Sequence, residues 1–281
     1  IRRPPRSTLF PYTTLFRSEK MFDYHVHSSF SEDCNIPMEK MVKFAVEKGI
    51  RELAFTEHID YDYPDKDWTF DLDLTGYDRK IREMQSAYGS RIKIRKGVEL
   101  GVQPHVLKDY ETIVEKETFD FIICSMHATG GMDLHSGRFF EGKSLNEAYE
   151  EYYSELLACI RTFEDFNVLG HLDLVTRYKY EEGVNSFLEI IEEIFKTIIP
   201  RGQGIEINTS GFYYGLGRVM PSTDIIKLYK DMGGEIITIG SDAHTPERLA
   251  EYYTHSVELL QQLGYRYVAT FEHRKPVFHK I

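Results

Sequence analysis

Short apolar runs alternate with amphipathic stretches from Met21 to the end of the chain. MFDYHVH at 21–27 predicts a strand. Pro37 then opens a helix with Met38, Met41, Val42 and Ala45 on one face, and Gly49 ends it. ELAFTEH at 52–58 predicts the next strand, and the acidic, aromatic run over 59–73 reads as a loop. A helix over about 75–88 stops near Gly89, IKIRKGVEL at 92–100 is a strand, and Pro104 starts another helix. FDFIICSMH at 119–127 is a strand, followed by the glycine-rich loop ATGGMDLHSG at 128–137. A long helix is expected over roughly 145–163, a strand at NVLGH (167–171), and a helix over 184–199 ended by Pro200. GIEINTS (204–210), a helix near 222–232 and EIITIGSDAH (235–244) come next. A last helix over about 246–262 precedes YRYVATF (265–271) and a tail. Continuous apolar strands separated by helices are the mark of a parallel sheet wrapped by helices, an α/β protein. About seven strand–helix units in some 260 residues fit a closed or nearly closed barrel better than an open sheet, and one domain is the simpler reading.

Residues 1–20, IRRPPRSTLFPYTTLFRSEK, follow neither period. They resemble translated sequencing-adapter sequence, so Met21 is expected to be the true start and disorder is expected before it. Arg2, Arg3 and Arg6 would suit the start of a signal peptide, but no apolar segment follows them.

Composition narrows the class. With 42% hydrophobic and 28% charged residues the chain is too apolar to be disordered and too mixed for a coiled coil. No apolar run approaches the roughly 18 residues of a membrane span. Cys34, Cys124 and Cys159 are odd in number and widely spaced, which argues against a disulfide framework and for a reducing, cytoplasmic setting. The net charge is −11 for the whole chain. Without residues 1–20 the balance is 29 basic against 44 acidic residues, a net −15. So acidic a body repels nucleic acid and anionic membranes, and neither is expected as a partner. An anionic substrate needs a local positive centre, for which metal ions are the obvious means.

The predicted strands end in histidines and carboxylates. His25 and His27 close the first, Glu57 and His58 the second, and Glu99 the third. His127 ends the fourth, His171 the fifth, Asn208 the sixth, and Asp242 with His244 the seventh. In an α/β barrel the strand C-termini converge on one face, where active sites are built. The period of two puts both imidazoles of His25-Val26-His27 on one side of their strand, and likewise Asp242 with His244. A lone histidine on an apolar strand is usually a packing residue. Seven such coincidences point instead to a metal pocket whose imidazole and carboxylate donors suit zinc, manganese or iron.

In this order the residues resemble the polymerase-and-histidinol-phosphatase (PHP) superfamily. The match runs through D-Y-H-V-H-S at 23–28 with Asp33 following, T-E-H at 56–58 and G-V-E-L at 97–100. It continues through S-M-H at 125–127, G-H-L-D at 170–173 and G-S-D-A-H at 240–244. R-K-G-V-E-L-G, G-H-L-D-L-V-T-R-Y and E-I-N-T-S-G are most similar to metal-dependent histidinol-phosphate phosphatases. The resemblance implies a distorted (β/α)₇ barrel, TIM-barrel-like, over residues 21–281, with two or three divalent ions. His25, His27, Glu99 and Asp242 would hold the first ion. Glu99 would bridge to a second held also by His127 and His171, and Asp33, His58 and His244 would hold a third. Glu99, Asp242 and His244 are the implied catalytic residues.

The implied reaction is hydrolysis of L-histidinol phosphate, a small phosphorylated substrate, in histidine biosynthesis. Water acidified by the ions attacks phosphorus while the ions neutralise the phosphoryl oxygens. Arg177 is the candidate fork onto phosphate, with Arg218 a second, and Asn208 and Ser210 are candidates to orient the substrate. Asp60, Asp62, Asp65 and Asp67 could attract a cationic amino-imidazole alcohol, although such runs are commonly solvated loops. A protein-tyrosine or nucleotide phosphatase of the same superfamily, or a non-catalytic metal-binding module, are the alternatives. His105, His135, His255, His273 and His279 are read as structural, and the sequence leaves the oligomeric state open.

Overall fold

The computed structural model describes residues 20–181 and 187–281. Disorder expected over residues 1–20 therefore falls, apart from Lys20, outside the described residues, as does the start of the helix expected over 184–199. Seven parallel strands follow one another in chain order in one curved sheet, which the two-residue strand His58–Ile59 joins off this path. The seven are β1 (Met21–Val26), β2 (Ile50–Phe55), β3 (Lys93–Gly101), β4 (Phe121–Ser125), β5 (Val168–Leu169), β6 (Gly204–Asn208) and β7 (Ile237–Gly240). A parallel bridge between Val26 and Ala243 brings the last strand back to the first. His27 N–H donates to Ala243 O at 3.0 Å and Ala243 N–H to His25 O at 3.3 Å, so the seam runs through the two histidine-bearing motifs. The result is a nearly closed (β/α)₇ barrel, as expected.

A helix follows each strand: α1 (Met38–Lys48), α2 (Leu74–Tyr88), α3 (Leu107–Lys116), α4 (Leu145–Thr162), α5 (Leu188–Ile198), α6 (Thr223–Asp231) and α7 (Tyr253–Gln262). Their starts and stops follow local chemistry. Gly49 closes α1 in the left-handed conformation (φ 79°), where a Cβ would be strained. The Asp73 carboxylate accepts from Gly76 N–H to cap α2, and Ser144 and Glu147 form a capping box at α4. α1 buries Met38, Met41, Val42 and Ala45, the face its sequence predicts. No helix among the described residues is long and apolar enough to cross a membrane.

Three features depart from the sequence reading. The tail adds a strand: Tyr267–Glu272 (β8) pairs antiparallel with Lys275–Lys280 (β9) in a hairpin. Phe271 packs on Phe121 with ring centroids 5.0 Å apart, its N–H donates to Tyr24 Oη, and Arg274 N–H donates to Asp120 O. Asp120 and Phe121 sit at the N-terminal end of β4, so the hairpin covers the end of the barrel opposite the histidines. The helix expected over 246–262 is split into a short turn at Pro246–Arg248 and α7. The break follows from Asp23 Oδ2, which accepts the Ala250 N–H at 2.7 Å and stops the helical ladder there. The loop at 128–137 contains a small hairpin, Ala128–Thr129 with Met132–Asp133. Gly130 and Gly131 supply the two positive φ angles (59° and 69°) its turn requires.

Candidate metal centre at the strand ends

Strand geometry gathers the predicted residues. His58 pairs directly beside Glu99 in the sheet register, and the β1–β7 seam sets His25 and His27 against Asp242. Glu99 is fully buried, and five imidazole nitrogens face its two oxygens. Nε2 of His25, Nδ1 of His58 and Nε2 of His27 lie 3.0, 3.2 and 3.5 Å from Oε2. Nε2 of His171 and of His127 lie 3.0 and 3.2 Å from Oε1. Asp242 Oδ1 lies 3.6 Å from His27 Nε2 and 3.8 Å from His25 Nε2. Asp33 Oδ2 lies 3.2 Å from His244 Nε2 and 3.6 Å from His58 Nε2. All nine predicted ligands thus fall in one cluster. Two of them sit in unusual backbone: Asp242 at φ 54° and His171 at φ 20°, strain of the kind held only where the surroundings fix it.

Charge crowding is severe. Burial alone would push the Glu99 and Asp242 carboxyls up, but neighbouring imidazoles, His25 foremost, pull both well below the usual range. Burial likewise opposes charge on His25, where Glu206, Glu99 and Asp242 prevail and raise it well above the usual value. His58 rises to about 9, against burial, mainly through Asp33 and Glu99. His27 goes the other way: burial and the charges of His244, His58 and His25 hold it neutral, well below the usual range. The carboxylates call for positive charge, and protons on the imidazoles provide it here as cations would.

The donor set fits such cations. Nε2 of His27, which faces the cluster, is buried without a hydrogen-bond partner. Unpaired buried polar atoms of this kind are costly unless something binds them. Within the cluster, His25 with Glu99 and His171, His25 with His27 and Asp242, and His27 with His58 and His244 each bring three donor atoms within 4.8 Å of one another. With no cysteine among them, these donors suit a divalent ion of borderline or hard character.

Above the cluster lies a cavity of about 310 Å³. Its floor includes Glu99, Asp242 and His171, and its walls Tyr63, Trp68, Phe70, Tyr178 and Tyr214. Arg177 enters it: Nη1 reaches Asp242 Oδ2 at 3.4 Å, Nη2 donates to Tyr178 Oη at 2.6 Å, and Cζ stands 4.2 Å from the Tyr214 ring centre. The other predicted substrate residues sit differently. Arg218 does not line the cavity; it pairs with buried Asp173 at 2.9 Å and donates to Thr176 Oγ1. Asn208 Oδ1 accepts from Ser210 N–H and Oγ–H, the turn chemistry typical of such residues, and Ser210 Oγ lies 3.2 Å from Asp242 Oδ2. A larger cleft of about 590 Å³ beside the C-terminal hairpin carries one carboxylate, Glu235, and no histidine.

Some site residues escaped the sequence reading. Asp60 is not part of a solvated run: it is 4% exposed and accepts from His127 Nδ1 at 2.6 Å. Asp62, Asp65 and Asp67 do not line the cavity. Glu57 accepts from Ser31 Oγ, which lies 3.1 Å from His27 Nδ1. Glu206 holds His25 Nδ1 at 2.6 Å. His135, read as structural, lines the cavity. Period-two spacing was the available signal: Asp60 follows His58 by two, and Glu206 precedes Asn208 by two.

The PHP domain family matches residues 23–210. A histidinol-phosphatase of Lactococcus lactis is 33% identical over 261 residues, covering 91% of this chain and 96% of that protein. The crystal structure of histidinol phosphate phosphatase from Lactococcus lactis, complexed with zinc, L-histidinol and phosphate, superposes with a TM-score of 0.81 at 31% identity. That likeness covers 92% of this chain and 99% of the other. A second solved structure, from Listeria monocytogenes, shares the fold at a TM-score of 0.72 and 20% identity, over 83% of this chain and 99% of its own. Matched over most of its length in sequence and in fold, the chain belongs to the PHP domain family.

Proposed function

We propose that this chain is a metal-dependent phosphomonoesterase that hydrolyses L-histidinol phosphate to L-histidinol and phosphate, and that residues 21–281 form one phosphoesterase domain. The observation that carries this is the Glu99 carboxylate facing five imidazole nitrogens at 3.0–3.5 Å beneath a cavity that Arg177 enters. The substrate follows from the Lactococcus lactis relative and from the L-histidinol and phosphate in the related crystal structure.

Two or three divalent ions fit the donors, zinc first, with manganese or iron as alternatives. His25, His27, Glu99 and Asp242 would hold one; Glu99, His127 and His171 a second; Asp33, His58 and His244 a third. Bound there, the ions supply Lewis acidity, which acidifies water and neutralises phosphoryl oxygens. The protein's residues do the rest. Asp242 and the rings of Tyr178 and Tyr214 fix the Arg177 guanidinium, so its fork meets phosphate without reorganising. Tyr63, Trp68 and Phe70 form the wall nearest His58 and limit water around the reacting group. The Trp68 and Phe70 rings are parallel, 5.9 Å apart, and suit the flat imidazole and ammonium of histidinol.

Phosphate release from histidinol phosphate, beside a phosphotyrosine peptide, a nucleoside monophosphate and glycerol phosphate, tests the reading. We expect kcat/KM for histidinol phosphate to exceed each of the others by roughly 100-fold. Comparable rates across the panel would remove the substrate assignment. Arg177→Ala should raise KM by about 10- to 100-fold, the worth of charged hydrogen bonds to phosphate, with a smaller change in kcat. Unchanged KM and kcat in steady-state kinetics would place Arg177 outside substrate binding.

A further inference from the structure

Three carboxylates outside the proposed ligand set reach ligand histidines: Asp60 touches His127, Glu57 reaches His27 through Ser31, and Glu206 touches His25. Asp60 reaches a second ligand ring, His58 Nδ1 at 3.3 Å, whereas Glu206 reaches the main chain of its second ligand. Glu206 is 1% exposed, and among the described residues no lysine or arginine lies within ion-pair distance of it. Its Oε1 meets His25 Nδ1 at 2.6 Å, and its Oε2 accepts the His171 main-chain N–H at 2.9 Å and the Asn208 Nδ2–H at 3.1 Å. One buried side chain thus grips the ring of one proposed ligand and the backbone of another.

The surrounding strands leave room for this. A Cβ on Gly240 of β7 would fall 2.2 Å from Glu206 Oε1 and 2.4 Å from His25 Cβ. At Gly170, beside β5, a Cβ would fall 2.6 Å from Ile123 and 3.5 Å from Glu206 Oε2. Glycines thus flank the carboxylate on both neighbouring strands.

We infer that Glu206 is a positioning residue that couples the first two cation positions through His25 and His171; this rests on the metal reading above. An ionised carboxylate only accepts, so the proton between it and His25 belongs to Nδ1. That fixes the tautomer whose Nε2 lone pair points at Glu99 and Asp242, where a cation would be held. The second oxygen pins the His171 N–H, and with it the φ 20° backbone that aims its imidazole at Glu99 Oε1.

Glu206→Gln in the full chain is the test. The amide keeps the volume, but only one oxygen remains for three donors. Zinc binding is measured by competition with a chromophoric chelator, beside the melting temperature of the cation-free protein. Both of the two tightest binding steps should weaken by about 10- to 100-fold, with excess zinc restoring most of kcat and KM unchanged. Glu206→Asp, too short to reach both partners, should weaken at least one step and serves if the glutamine variant does not fold. Either step left at native affinity in Glu206→Gln, or a loss confined to the cation-free melting temperature, would overturn the coupling. A native chain that binds no zinc would instead overturn the metal reading itself.

Discussion

Glu99→Gln should lower the turnover of histidinol phosphate by about a thousandfold or more, roughly 4 kcal/mol of transition-state stabilisation, while the barrel stays folded. The expectation follows from where the two oxygens point. Oε2 faces His25, His27 and His58, and Oε1 faces His127 and His171. An amide removes the negative charge that both proposed bridging positions share, and it turns a donor toward one of them. Each ion then loses a ligand, and the remaining imidazoles repel without the carboxylate between them. The fold has little reason to fail. Glutamine matches glutamate in volume, and Ser125, whose Oγ donates to Oε1 at 2.6 Å, can turn its hydroxyl to accept from an amide. Steady-state kinetics with zinc in excess, beside far-UV circular dichroism, checks both halves. Turnover within tenfold of native would end the bridging assignment.

Much of the barrel was written in local pattern. The strand–helix alternation gave the seven units, and the His25-Val26-His27 period put two imidazoles on one side. What escaped was set by contacts between distant segments. The spacing of Glu206 from Asn208 gives the face they share, but not that Glu206 meets His25, 181 residues away. The α7 break depends on Asp23 capturing Ala250 N–H across 227 residues, and no helical period records that. Arg177 and Arg218 are alike in sequence. What separates them in space is that Asp173, a buried carboxylate, engages the second and leaves the first to the cavity. The final strand, KPVFHK, was missed because its residues are mostly exposed and Pro276 weakens the strand signal. Asp60 was masked by its neighbours: within an acidic run, its place two residues after His58 is the one hint that it turns inward.

Removing the cations should abolish activity, and restoring them should recover it. Without cations, protons on the imidazoles are what offsets Asp33, Glu99 and Asp242 at this rim, and such protons do not activate water. Arg177 cannot take the place of a cation, because its guanidinium already leans on Asp242 at 3.4 Å. Bound cations supply the Lewis acidity that no side chain here provides. The most direct measurement follows phosphate release from histidinol phosphate while the metal content of the same samples is determined by atomic absorption. Release should fall to background as a strong chelator strips the protein and return as zinc or manganese is added back. Full-rate release by protein holding less than roughly a tenth of an ion per chain would contradict a metal-dependent site built on Glu99 and its histidines.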